Sequence, residues 1–104
     1  MKKPKDTNHI GIAWYHRDQW QRLREVSTDV DKLEETYDQW LWWATKHIKE
    51  MTDAGMSIGK VHIDIERLIV RCEENGLEVN SSSRAQYTAE RLRELDQNRE
   101  FWQK

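Results

Sequence analysis

The first regular pattern along the chain is an alternation. In "HIGIAWY" (9–15), Ile10, Ile12 and Trp14 fall on one side, and Gly11, Ala13 and Tyr15 on the other. A period of two is the mark of a strand, so β structure is predicted over 10–15. The period then lengthens. In "RDQWQRLREVS" (17–27), Trp20, Leu23 and Ser27 share a helical stripe with Val26 at its edge. Residues 28–35 read as a linker anchored by Leu33. Thr36 and Gln39 match a capping box, which predicts a second helix from Thr36 to about Ala54. Gly55 then supplies a left-handed stop.

A second strand is predicted over 57–64, with Val61 and Ile63 on one face and Lys60 and His62 on the other. Asp64 is placed to cap a third helix, and Ile63 with Leu68 to staple across the cap. Ile65, Leu68, Ile69 and Cys72 form the apolar stripe of that helix. Asn75 and Gly76 end it, and Leu77 can fold back toward Cys72. "NSSS" (80–83) offers several caps for the last helix, and Ser83 with Gln86 is a further capping-box match. The last helix is expected to turn Ala85, Ala89, Leu92 and Leu95 inward and to dock through Phe101 and Trp102.

The expected order is β-α-α-β-α-α: an α+β fold, helix-rich, in one domain. Its sheet is small, with two strands, or three if "LEVN" (77–80) joins. The αα connection is long enough for a parallel crossover. Residues 1–8, with Pro4, read as a flexible basic tail, and 9–104 as a single compact domain.

The second helix carries the least ordinary stretch, "WLWWA" (40–44). At about 100° per residue, Tyr37, Trp40, Ala44, His47, Ile48 and Met51 gather on one face, with Leu41 at its edge. That face is the expected core stripe. Trp43 falls at its boundary. Trp42 lies nearly opposite, among Asp38, Thr45, Lys46 and Lys49. Its ring can rest on the ammonium of Lys46, one turn on, or it can anchor a partner, as tryptophan does at interface hot spots. Trp42, Trp43, Lys46 and Lys49 are the candidate protein-interaction residues. The simplest partner is a second copy of the chain.

Composition narrows the function classes. Charged residues make up 35% of the chain and mean hydropathy is −1.03, yet aromatic residues reach 10%, enough to close a core. Seventeen Lys and Arg against 19 Asp and Glu leave a net charge of −2, which is not the basic excess of a dedicated nucleic-acid binder. No signal peptide or membrane-spanning run is read, so no membrane partner is expected. A single cysteine, Cys72, excludes an intramolecular disulfide and suits a reducing, cytoplasmic setting.

Chemical motifs are sparse. Cys72 lies on an apolar stripe beside Glu73 and Glu74, against the electropositive setting a reactive thiol needs. No P-loop, GxGxxG or serine elbow is present, so no catalytic residue and no cofactor are assigned, and the chain leans away from enzymes. His62 and Asp64, at the end of the second strand, point to one side, a spacing that metals can use. They are a weak candidate for a metal or small-molecule site. Arg84, Tyr87 and Arg91 are read as one exposed row on the last helix, able to grip phosphate or stack a base. A nucleic-acid-associated regulator is the alternative they offer.

Five segments, "WYHRDQW" (14–20), "LEETYDQW" (33–40), "KVHID" (60–64), "RCEENGL" (71–77) and "RAQYTAE" (84–90), together resemble an uncharacterised small bacterial protein family. The resemblance implies a compact bacterial intracellular protein and transfers no activity. Proteins of that kind often carry an aromatic residue before the cysteine, where this chain has Arg71. The expectation is therefore a non-enzymatic interaction or regulatory module.

Overall fold

A computed structural model describes residues 9–102, with side chains from Ile10 to Asp96. The predicted tail over 1–8 and the docking expected of Phe101 and Trp102 lie outside what is described. The elements are β1 (His9–Trp14), α1 (Trp20–Val26), α2 (Tyr37–Asp53), β2 (Ser57–His62), α3 (Ile65–Glu74) and α4 (Ser81–Trp102). Single 3-10 turns at Arg17–Gln19 and Val30–Lys32 precede α1 and follow it. The fold is α+β and helix-rich, as the periodicity predicts.

β1 and β2 pair in parallel, from His9 opposite Ser57 to Trp14 opposite His62. The pleat divides their side chains between two helices. On one face Gly11 and Val61 meet Leu92 of α4. On the other, Trp14 packs edge-on against Trp40 of α2, with ring centroids 5.0 Å apart. The sheet is thus held between α2 and α4, which a two-stranded sheet needs in order to be stable. No full third strand forms at 77–80. Val79 makes an isolated parallel bridge to Ser27, and the Thr28 amide donates to the Val79 carbonyl at 2.9 Å.

Gly11 sets how closely α4 approaches. A Cβ at this position would lie 2.8 Å from Leu92 Cδ2 and 3.2 Å from Val61 Cγ2. Both are tighter than van der Waals contact, and Val61 is fully buried. Gly11→Val is expected to destabilise the fold by about 1–3 kcal/mol, the usual cost of overpacking. Urea denaturation of the variant checks this.

The caps follow the sequence with one exception. The Gln39 amide donates to Thr36 Oγ1, and the Thr36 amide to Gln39 Oε1, closing the predicted box of α2. Asp64 Oδ1 accepts from the amides of Glu66 and Arg67 at the start of α3. Gly76, at φ +66°, ends α3 as the Leu77 amide donates to the Cys72 carbonyl at 2.8 Å. The exception is the Ser83–Gln86 box of α4: of the caps offered over 80–83, Asn80 is the one used, paired reciprocally with Ser83 and three residues before it. The Ser83 hydroxyl also donates to the Glu78 carbonyl at 2.7 Å, while its oxygen accepts from the Asn80 amide.

The core gathers Tyr15, Trp20, Leu23, Val61, Ile63, Ile65, Leu68, Cys72, Val79 and Tyr87. Around Trp40, the rings of Trp14, Tyr15, Trp20 and Tyr37 all lie within 5.6 Å centroid to centroid. Tyr37 also donates from its hydroxyl to the Tyr15 carbonyl at 2.8 Å. The predicted stripes of α1 and α3 are buried as expected, with Ile69 only partly so.

Two stripes are rolled relative to expectation. On α4 the inward residues are Arg84, Tyr87, Thr88, Leu92 and Leu95, whereas Ala85 and Ala89 are exposed. Two alanines bury too little area to compete with a tyrosine ring. On α2 the covered side holds Tyr37, Trp40, Leu41, Ala44, Ile48 and Met51, and His47 is exposed. His47 sits about 70° from the centre of that stripe, on the side toward Trp43.

Candidate interaction surface

α2 is unusual for a 17-residue helix in having no fully buried residue. Its inner side is only half covered. Its outer side carries Trp42 and Trp43, which keep 59% and 47% of their surface exposed. Trp42 lies opposite the core stripe, as predicted. Trp43 was expected to cover the core edge and instead joins Trp42 outside, because the helix has rolled toward Leu41 and Ile48. The two indoles meet edge to face with centroids 4.9 Å apart.

Lys46, one turn on, places its ammonium 5.4 Å from the Trp42 centroid and 5.3 Å from that of Trp43. A single cation thus sits across both rings, an arrangement that orders the indoles without covering them. Beside them, Asp38, Leu41, Trp42, Thr45, Lys46 and Lys49 line a shallow groove of about 510 Å³. Asp38 pairs with Arg17 at 2.7 Å, and Lys49 with Asp53 at 2.9 Å. Both pairs are exposed and weak, so they can exchange partners cheaply.

The row on α4 is not the exposed strip that was expected. Arg84 is buried, and its guanidinium forks onto both carboxylate oxygens of Asp29 at 2.9 Å each, with Ser27 Oγ at 3.2 Å. Tyr87 is buried, and burial raises its phenol pKa, keeping the ring neutral. Arg91 is ion-paired with Glu94. A sequence shows Arg84 as a charge and does not show Asp29, 55 positions away, that takes it inside. Arg71 grips Glu90 and ties α3 to α4. The Arg71 guanidinium holds the Glu90 carboxyl below its usual range.

At the end of β2, His62 and Asp64 line one cleft, together with His16. Asp64 is engaged as the helix cap. The neighbour of His62 is His16, with Nδ1 of one 3.1 Å from Nε2 of the other and the rings nearly stacked. The signal was available in principle. Each histidine lies at or just past the carboxyl end of a strand, and parallel pairing sets those ends side by side. Cys72 is buried and free, as its stripe predicted.

No helix among the described residues is long and apolar enough to cross a membrane. Comparison with protein-family models, curated proteins and solved structures finds no significant match. Function has to be read from the surface chemistry itself.

Proposed function

We propose that this chain is a non-enzymatic interaction module that pairs with a second copy of itself through the outer face of α2. The observation that carries the reading is a pair of ordered, exposed tryptophans on a helix with no fully buried residue. Exposed indoles side by side are costly in water and are the usual anchors of interfaces.

Charge along the groove supports a second copy as the occupant. Acid stands at one end, Asp38, and base at the other, Lys46 and Lys49. Under a two-fold axis perpendicular to α2 the two helices run antiparallel. An axis passing between positions 43 and 44 sets Asp38 against Lys49 of the second copy, and Trp42 against Thr45. Both ends of the pair then gain complementary charge, and the indoles are covered at its centre.

Light scattering coupled to size exclusion tests this. The chain is expected to run at twice its own mass, and Trp42→Ala as a folded monomer with unchanged helical circular dichroism. Loss of a hot-spot tryptophan weakens such pairing by about 2 kcal/mol or more, roughly 30-fold in Kd. A wild-type monomer at high micromolar concentration, or an undiminished dimer in Trp42→Ala, defeats the reading.

A further inference from the structure

The carboxyl ends of parallel strands are where open α/β sheets most often hold ligands. Here one imidazole comes from the end of β2 and one from the chain just past β1, at the same edge. His62 closes β2, and His16 lies two residues past Trp14, its partner in the register. Both are exposed, and their facing nitrogens, His16 Nε2 and His62 Nδ1, are 3.1 Å apart. We propose that His16 and His62 form a two-histidine site for a divalent transition-metal ion of the Zn²⁺ class, open to solvent on its remaining positions.

The spacing is what a shared ion requires. Nitrogens bound about 2.0–2.1 Å from one ion stand about 2.9 Å apart at a right angle and about 3.3 Å apart in a tetrahedron. The observed distance falls between these. In the ion-free pair one of these nitrogens carries the proton shared between them. Metal binding moves that proton to the ring's other nitrogen or releases it to solvent, and rotation of the two exposed rings then turns both lone pairs onto one ion.

The surroundings favour a cation and limit how many ligands it finds. Asp18, Gln19, Ile63 and Asp64 complete the lining of a cleft of about 340 Å³. The carboxylates of Asp18 and Asp64 bring negative charge to it. Asp64 spends Oδ1 on the α3 amides, and its Oδ2 stands 3.9 Å from Arg67 Nε. Among the described residues no set of three His, Cys, Asp or Glu side chains converges in ligating geometry. The ion therefore keeps water on its other positions and exchanges readily, unlike a structural zinc. Imidazole nitrogen also selects zinc, copper or nickel over magnesium or calcium.

The test is Zn²⁺ titration of the full chain against a chromophoric chelator. His16→Ala and His62→Ala are each expected to weaken binding at least 10-fold, and His47→Ala, on the exposed side of α2, to leave it unchanged. Magnesium should not compete. A paramagnetic Cu²⁺ titration followed by NMR reads the unaltered protein, so a folding defect in a variant cannot mimic the result. Selective broadening of the His16 and His62 ring signals supports the site. Equal Zn²⁺ affinity in wild type and in the His16→Ala/His62→Ala double variant, or broadening centred elsewhere, overturns it.

Discussion

Arg84→Ala is expected to cost the fold about 3–5 kcal/mol. The reason is the charge left behind. Arg84 and Asp29 keep only 10% and 12% of their side-chain surface exposed, and the fork between them uses both carboxylate oxygens. Removing one partner of such a pair leaves the other ionised, desolvated and unmatched, and it is this that costs several kcal/mol. The pair also ties distant segments together. Asp29 Oδ2 accepts from the Ser81 amide at the start of α4, and the neighbouring Thr28 amide bonds Val79. Denaturant unfolding at neutral pH measures the loss. A double replacement by apolar residues, Asp29→Leu with Arg84→Met, should recover much of it, because no charge is then stranded. A double variant as unstable as Arg84→Ala would show that the ion pair itself, rather than the stranded charge, dominates.

The same pair sets a pH dependence. The hydrogen bonds from the Arg84 guanidinium hold the Asp29 carboxyl below the usual carboxylate range. A carboxyl that binds its proton more weakly when folded contributes stability above its unfolded pKa. That contribution is lost as pH falls through the lower, folded value. Glu90, lowered by its bond to Arg71, acts in the same direction. Stability should therefore fall on acidification below the ordinary carboxylate range. In Asp29→Asn the part of that slope due to position 29 should disappear.

Trp20→Ala is expected to cost about 3–5 kcal/mol, and Trp20→Phe much less. Trp20 is 4% exposed and packs against Tyr15, Tyr37 and Trp40. Alanine would open a cavity at the point where β1, α1 and α2 meet. Phenylalanine keeps a ring in the cluster and removes a burden. The indole Nε1 is buried without a hydrogen-bond partner among the described residues. An unsatisfied buried donor costs about 1–3 kcal/mol, which offsets much of the area lost in the smaller ring. A loss below about 1.5 kcal/mol for Trp20→Phe, by thermal or urea unfolding, fits this account. Equal losses for the two variants would mean that the N–H is satisfied.

The local devices were legible because each is local. The capping box at Thr36, the cap at Asp64, the stop at Gly76 and the alternating strands are written in residues a few positions apart. Their chemistry acts over one turn or one pleat. The part of the candidate surface that was legible is Trp42, whose angle on α2 follows from 3.6 residues per turn. Trp43 was not, because its exposure depends on how far the helix rolls, and that is decided by how Tyr37 and Trp40 seat in the aromatic cluster. The burial of Arg84 was not legible for the same kind of reason, since a buried arginine is recognised only through its partner.

By itself, then, the sequence determined the element order, the parallel crossover it permits, the two apolar faces of the strands and an indole turned away from the core. Periodicity and capping act along the chain, so the chain carries them. Tertiary structure alone decided that two tryptophans stand outside, that Arg84 is a structural cation held by Asp29, and that His16 stands 3.1 Å from His62. These rest on pairs 46 and 55 residues apart, and contacts at that range exist only once β1 and β2 have paired and α4 has closed over them.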